Sequence, residues 1–258
     1  MPKANADAPV AIDASGLGKI FHIGTRGEAR FFRQMLARLG GISATRPLWA
    51  VRGIDLRVRR GECVGIIGRN GAGKTTLLQM LAGLLAPTEG SLRTQGRIST
   101  FLEIGSGLFS ELRVLDNIRL TAALCGMSRA TLRRRLEVIV EFGELEEYLY
   151  SRLGELSLGF QSRVSFATAL HADIDILVTD EVFAVGDAAF SGKCVQRMQQ
   201  LLGEGKTMVM ASHDMDLIRA TCSRAICLER GVVAGQGPSD EVVRDYLDRC
   251  GAALEKTG

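Results

Sequence analysis

The chain has 258 residues, of which 46% are hydrophobic and 24% charged, and its formal net charge is +3. This composition is typical of a globular protein that buries a substantial core, and the small net charge does not indicate a nucleic-acid partner. Neither a membrane-spanning apolar run nor a secretory signal is expected. The six cysteines form no CxxC pair, which favours reduced thiols packed in a cytosolic core.

Apolar runs that predict strands alternate with helical patterns along the chain. Strands are predicted at 62–68, 97–105, 174–180, 206–212, 224–231 and 232–237. A helix is predicted over 74–85, a turn at 87–90, and helical spacing without a strand from about 112 to 152. The pattern predicts an α/β fold, in which an inserted helical lobe interrupts a helix-covered parallel sheet.

The segment GEARFFRQMLARLGG (27–41) predicts a short basic amphipathic helix. Its apolar face would carry Phe31, Phe32, Met35, Leu36 and Leu39. Such a helix lies at a membrane surface or against a partner. It is equally typical of a surface helix packed on its own domain, and the sequence leaves both interpretations open.

The stretch GRNGAGKTT (68–76) matches the phosphate-binding P-loop pattern G-x-x-x-x-G-K-[ST] between a predicted strand and a predicted helix. Its glycines allow backbone N–H groups to surround a polyphosphate, and the helix adds the positive end of its dipole. The candidate nucleotide-binding residues here are Gly68, Arg69, Asn70, Gly71, Ala72, Gly73, Lys74, Thr75 and Thr76. Lys74 suits the terminal phosphates, and the Thr75 hydroxyl suits Mg²⁺.

Two further strands end in residues that suit the same chemistry. IDILVTDE (174–181) ends in Asp180, a candidate Mg²⁺ ligand, and Glu181, a candidate general base for an attacking water. ASHD (211–214) follows a strand and contains His213. The carboxyl ends of strands face the ligand crevice in open α/β sheets, so His213 is a candidate contact of a γ-phosphate.

The stretch ELSLGFQSR (155–163) presents a second anion-binding pattern, because Ser157 and Gly159 stand just before an apolar helical run. This order of motifs resembles the nucleotide-binding subunit of an ABC transporter, over roughly residues 10–247. The resemblance implies a P-loop NTPase (RecA-like) core with a mixed sheet at about 10–104 and 165–247, and a helical lobe at about 105–164. It also implies ATP and Mg²⁺ as ligands.

Partners and further site residues are likewise implied by the resemblance. In the family two copies close on two ATP molecules, and Ser157 and Gly159 of one copy would contact the γ-phosphate held by the other. Gly186 and Asp187 would lie in the loop that couples the two sites, and Phe21 would stack on adenine. The other implied partner is an integral membrane permease, with the chain at the cytoplasmic face of the bacterial inner membrane.

The chain departs from the usual family pattern at two places. The signature is usually LSGGQ, whereas this chain has Leu158 and Phe160 at the first glycine and the glutamine. The glutamine that normally contacts Mg²⁺ after the strand near residue 100 is absent, and Glu103 is the candidate replacement.

These departures, with DEVFAVGDAAF (180–190), resemble exporters of bacterial surface polysaccharides. The alternative is an exporter of another large amphipathic substrate. A chromosome or repair ATPase would need a long coiled coil, yet only 82 residues lie between Lys74 and Ser157. An ABC protein that acts in translation would need two cassettes in one chain, and this chain has one. A regulator that binds ATP without hydrolysing it would lack catalytic residues, whereas Lys74, Asp180, Glu181 and His213 are all present. Since the chain ends soon after Tyr246, we expect no carbohydrate-binding domain.

Overall fold

The computed structural model describes residues 8–23, 46–101, 108–180 and 187–255. The strands are β1 (Val10–Ile23), β2 (Arg46–Arg59), β3 (Cys63–Ile67), β4 (Glu89–Thr94), β5 (Ile98–Phe101), β6 (Ile176–Asp180), β7 (Thr207–Ala211), β8 (Arg224–Glu229) and β9 (Val232–Pro238). The helices are α1 (Lys74–Leu81), α2 (Val114–Leu124), α3 (Arg129–Gly143), α4 (Leu158–Leu170), α5 (Ala188–Gly203), α6 (Met215–Thr221) and α7 (Ser239–Glu255). In this part of the chain, every helix is too short or too polar to reach across a bilayer.

A six-stranded sheet forms the centre of the molecule, in the order β5-β6-β7-β3-β8-β9. All its neighbouring strands are parallel except β8 and β9, which pair antiparallel. Strands β3 and β7 are buried along their whole length, and burial on both faces explains why they lack a polar alternation. The predicted α/β fold with a mixed sheet is confirmed, and each of the six predicted strands is present, most with ends shifted by a few residues. The carboxyl end of the predicted strand 97–105 lies outside the described residues.

The two faces of the central sheet pack against different layers. Val64 and Ile66 belong to a core shared with α1 and with strands β1 and β2. Cys63 and Ile67, one residue away in each case, belong to a core shared with α4, α5, α6 and α7. This alternation is the two-residue period of a strand covered on both sides.

The second sheet was not predicted from the sequence. Strands β1, β2 and β4 form a three-stranded antiparallel sheet in the order β2-β1-β4. The predicted turn at 87–90 is partly wrong, because Glu89 and Gly90 already belong to β4. The predicted helix at 74–85 is too long: α1 ends at Leu81, since Gly83 takes a left-handed φ of 75° and closes the helix there.

The segment between β5 and β6 contains helices α2, α3 and α4. The helical spacing from about 112 to 152 predicts α2 and α3, and the apolar helical run after Ser157 predicts α4. Buried Asn117 of α2 holds the backbone at the start of this segment. Its side chain accepts from Phe109 N at 2.8 Å and donates to Phe109 O at 2.9 Å. Helix α4 packs against α2, α3 and α5, so it connects this segment to the rest of the chain. The exact lobe boundaries stay a prediction.

The six cysteines are free thiols, and four of them are buried. The Sγ atoms of Cys63 and Cys222 lie 3.3 Å apart. The contact with Cys222, together with burial, raises the pKa of Cys63. Burial likewise raises the pKa of Cys194 to about 12, so these thiols stay protonated at neutral pH.

Candidate functional site

The P-loop between β3 and α1 depends on glycine at two positions. Gly68 has a φ of 147°, and a Cβ built there would lie 2.4 Å from the carbonyl oxygen of Leu228. Gly73, with a φ of 103°, would place a Cβ 2.4 Å from the carbonyl oxygen of Ala50. Any other residue would strain the backbone and collide with a neighbouring strand, so the loop holds its shape only with glycine here.

The P-loop is also tied to the strands beside it. Gly231, in the turn between β8 and β9, donates its N–H to the carbonyl of Ala72 at 3.0 Å. Its own carbonyl accepts from Arg52 N at 2.8 Å. The turn therefore joins the P-loop to β2. The P-loop is thus connected both to the central sheet and to the antiparallel sheet.

Lys74 is buried within the P-loop, with 6% of its surface exposed. Its Nζ donates to the carbonyl of Gly68 at 2.9 Å and lies 3.3 Å from Nε2 of His213. The structure thus brings two predicted site residues together, although 139 positions separate them in sequence.

Thr75 and Asp180 meet in the same way. The Thr75 hydroxyl donates to Oδ2 of Asp180 at 2.5 Å, which joins the start of α1 to the end of β6. Strands β6, β7 and β3 are neighbours and parallel, so their carboxyl ends lie at one edge of the sheet. Asp180, His213 and the P-loop therefore surround one crevice, the position where open α/β sheets bind ligands.

The donor set in this crevice fits Mg²⁺. Mg²⁺ prefers oxygen ligands, and the Thr75 hydroxyl and the Asp180 carboxylate supply two oxygens in contact. Among the residues that the structure describes, no three His, Cys, Asp or Glu side chains could hold a metal by themselves. A metal here would complete its shell with phosphate oxygens and water, as Mg²⁺ usually does in phosphoryl-transfer sites.

The second predicted anion site forms an exposed helix start. Ser157 is the N-cap of α4, and its Oγ accepts from Phe160 N at 3.4 Å. Leu158 follows with 72% of its surface exposed, and Gly159 is half-buried. The Phe160 ring packs edge-on against Tyr148 with centroids 4.8 Å apart. The signature thus presents a helix N-terminus and an apolar side chain to the outside of the chain.

Asp187 caps the helix that follows the predicted coupling loop. Its Oδ1 accepts from Phe190 N at 2.8 Å, and its Oδ2 pairs with Arg163 of α4. The bond from Phe190 N, with the nearby Arg163 guanidinium, holds the pKa of Asp187 below its usual range. Sequence reasoning did not single out Arg163; the available signal was a basic residue in an apolar helical run.

Phe21 lies near the end of β1, opposite Leu48 of β2, and 39% of its surface is exposed. The Lys19 ammonium lies 5.8 Å from the centre of its ring. Ala50, two residues from Leu48 in the same strand, touches the P-loop at Gly73. An exposed aromatic ring therefore stands a short way along β1 and β2 from the phosphate site.

Several predictions lie outside the described residues. These are the candidate base Glu181, the candidate metal ligand Glu103, Gly186 of the coupling loop and the amphipathic segment 27–41. Asp180 and Asp187 mark the two described ends of the segment that contains Glu181 and Gly186.

Comparisons with known proteins show which family the chain resembles. The family model described as "ABC transporter" matches residues 51–184. The O-antigen export system ATP-binding protein RfbB of Myxococcus xanthus is 38% identical over 227 residues, which are 86% of this chain and 52% of that relative. RfbB of Klebsiella pneumoniae is 37% identical over 201 residues, which are 78% of this chain and 82% of that relative. This chain thus spans about half the length of the first relative and most of the second.

A solved structure of a dimeric ATP-binding cassette, bound to ADP and phosphate, aligns with a TM-score of 0.71 at 24% identity. The alignment covers 88% of this chain and 98% of that chain. This likeness confirms the fold that the order of motifs predicts.

Proposed function

The chain belongs to the ABC transporter family, and from this premise we propose that it is the ATP-hydrolysing motor subunit of an exporter of bacterial surface polysaccharide or lipid-linked glycan. The observation that carries the proposal is the meeting of Lys74, Thr75, Asp180 and His213 at one edge of the central sheet. These residues supply a cation in a phosphate-binding loop, two oxygens for a metal ion and a histidine. Such a set is typical of a nucleoside triphosphatase.

Residues 68–76 bind the phosphates of ATP. The backbone N–H groups of the loop and the start of α1 supply partial positive charge, and Lys74 adds a full charge to the terminal phosphates. Thr75 and Asp180 would hold Mg²⁺, which would neutralise phosphate charge, and Glu103 is the candidate for a further metal contact.

Hydrolysis transfers the γ-phosphoryl group of ATP to water. The water oxygen bonds to the γ-phosphorus, the bond from that phosphorus to the bridging oxygen breaks, and ADP leaves. Glu181, directly after Asp180, accepts the proton of the attacking water as general base. His213 contacts the γ-phosphate from the end of β7, where its Nε2 lies 3.3 Å from Nζ of Lys74.

Two copies of the chain complete each ATP site. The exposed N-terminus of α4, with Ser157 and Gly159, binds the γ-phosphate held by the P-loop of the other copy. Because ATP then bridges the copies, its binding energy favours the closed dimer. Gly186 and Asp187 lie in the loop that couples the two sites.

The substrate class follows from the relatives, which are named as O-antigen export proteins in two genera. The motor therefore works with an integral membrane permease, at the cytoplasmic face of the inner membrane. The second candidate is export of another large amphipathic substrate by the same machinery.

The proposal is tested in the source strain after deletion of the gene. Plasmid-borne parent chain is expected to restore surface polysaccharide, and Lys74→Ala is expected to fail, because the phosphates lose their charged partner. Surface glycan is measured on whole cells, and lipid-linked glycan in the membrane fraction. Normal surface glycan in the deletion strain, with loss of another exported amphiphile, would favour the second candidate.

Adenine stacking by Phe21 predicts a defect in ATP binding. Stacking of an aromatic ring on a base contributes about 1–3 kcal/mol, so Phe21→Ala is expected to weaken ATP binding about tenfold. Phe21→Trp should retain the affinity, and kcat should change little in both variants. The matched control is Leu48→Ala, which removes the exposed cross-strand neighbour. Equal ATP affinities for Phe21→Ala and Leu48→Ala, by titration with a fluorescent ATP analogue, would contradict the stacking role.

A further inference from the structure

The thiols of Cys63 and Cys222 are in contact inside the core. Cys63 is the first residue of β3, and Cys222 directly follows the last residue of α6. Their Sγ atoms lie 3.3 Å apart, although 159 positions separate the two residues in the sequence. In a disulfide the two sulfurs are about 2.05 Å apart, so bond formation would bring these atoms only about 1.2 Å closer.

The backbones of the two cysteines are held beside each other. The N–H of Ser223, the residue after Cys222, donates to the carbonyl of Cys63 at 3.1 Å. The hydroxyl of Ser239 donates to the carbonyl of Cys222 at 2.7 Å. Strand β3 is in addition hydrogen-bonded to β7 and to β8. Two fixed and adjacent backbones are what a disulfide requires, because its geometry tolerates only a narrow range of separations.

Gly65 provides the space in which the two sulfurs meet. A Cβ built on Gly65 would lie 3.3 Å from Sγ of Cys222 and 2.9 Å from the side chain of Ile218. Any larger residue in this part of β3 would therefore crowd the Cys222 sulfur. The glycine lets that sulfur pack directly on the strand that carries Cys63.

A cavity of about 310 Å³ has Cys63 in its wall. Gln199, Gly203 and Ala220 line the same cavity and are exposed, so it opens to the surface. The side chains that line it are uncharged, and Thr221 is one of its polar members. The cavity therefore suits a small neutral polar molecule, and it gives such a molecule a route to a thiol that is otherwise buried.

We propose that Cys63 and Cys222 form an oxidation site, at which a small hydroperoxide such as hydrogen peroxide converts the two thiols to a disulfide. The Cys63 thiolate attacks one peroxide oxygen, the O–O bond breaks, and a sulfenic acid forms while the other oxygen leaves as water after protonation. The Cys222 sulfur then attacks the Cys63 sulfur, the S–O bond breaks, and a second water leaves. Two thiols are oxidised, and one peroxide is reduced to two waters.

The disulfide would act on stability. It would join residues 159 positions apart and so restrict the unfolded chain, and it would tie β3 to the end of α6. A native disulfide of this kind is expected to raise Tm by about 5–15 °C in a domain of this size. The contact with Cys222, together with burial, raises the pKa of Cys63, so thiolate is scarce and the oxidation should be slow.

The test treats the purified full chain with hydrogen peroxide, removes the excess with catalase and blocks the remaining thiols in denaturant. Peptide mass spectrometry is expected to find a peptide that links Cys63 to Cys222. Calorimetry of the same sample, before the denaturant is added, should show the rise in Tm. Dithiothreitol should remove the link and restore the parent Tm. Both readouts are independent of ATP hydrolysis, so they test the site whatever the outcome for the proposed function.

Two variants separate this site from general oxidation. Cys222→Ala should lose both the link and the rise in Tm after the same treatment. Cys194→Ala, which removes a thiol of α5 that is buried to a similar degree, should keep both. If Cys222→Ala does not fold, Cys63→Ala is judged by the same criteria.

Three results would overturn the proposal. They are absence of the linked peptide from the treated parent chain, a Tm that stays the same or falls when the link is present, and an equal rise in Tm in treated Cys222→Ala.

Discussion

Replacement of Glu181 by glutamine is expected to lower ATP turnover by about 10²- to 10⁴-fold, the usual contribution of a general base. The amide has nearly the same shape as the carboxylate but does not accept a proton. Asp180, the preceding residue, already contacts Thr75 at 2.5 Å, so the metal-binding oxygens should be unaffected. ATP binding should therefore remain, and the dimer should accumulate because bound ATP is no longer removed. Turnover is measured as phosphate release and dimerisation by light scattering.

The control for this variant is Glu229→Gln. Glu229 is an exposed carboxylate at the carboxyl end of β8, on the same edge of the central sheet. ATP turnover of the Glu229→Gln variant should equal that of the parent chain. If Glu181→Gln also hydrolyses ATP at the parent rate, Glu181 is not the base.

Replacement of Ser157 by arginine is expected to remove ATP-driven dimerisation while the monomer still binds ATP. The larger side chain would fill the space in front of the α4 N-terminus, where the partner's γ-phosphate is proposed to bind. Hydrogen bonds to charged groups contribute about 1.5–3 kcal/mol each, and a symmetric dimer loses the contact twice. Dimerisation should therefore weaken about 10²- to 10⁴-fold, as measured by sedimentation in the Glu181→Gln background.

Ser128→Arg distinguishes this effect from simple damage to a helix start. Ser128 is the N-cap of α3, and its Oγ accepts from Thr131 N at 3.1 Å. Loss of either cap should lower stability by about 1 kcal/mol. Only Ser157→Arg should prevent dimerisation. Equal losses of monomer ATP binding and dimerisation in Ser157→Arg would argue against a site shared by two copies.

The phosphate-binding part of the site could be predicted from the sequence, because its residues are close together in the chain. The P-loop occupies nine consecutive residues, and a strand and a helix of recognisable pattern flank it. The meeting of Lys74 with His213, and of Thr75 with Asp180, follows from one general rule about parallel strands. The signature likewise identified a helix start, and Ser157 is the N-cap of α4.

The antiparallel sheet was not predicted, for a different reason in each of two strands. In β1 the strand is irregular, whereas in β2 a regular alternation was overlooked. In β1, register shifts on either side of Leu17 change which residues face the core, and Gly16 interrupts the apolar run. In β2, Ile54, Leu56 and Val58 are buried and the residues between them exposed, which is a regular strand alternation. The partners of Arg163 could not be predicted, because Glu144 and Asp187 lie 19 and 24 positions away in the sequence.

The pairing of β1 with β2 also affects how the protein tolerates a change in the length of the segment that connects these two strands. Ile23 and Arg46 are partners across the ladder, so the strand ends beside segment 24–45 stand about 5 Å apart. Closing such a gap with 22 residues instead of a two-residue turn changes the loop entropy by only about 2 kcal/mol. A change in the length of segment 24–45 should therefore cost little loop entropy, and the β1–β2 ladder should tolerate such changes.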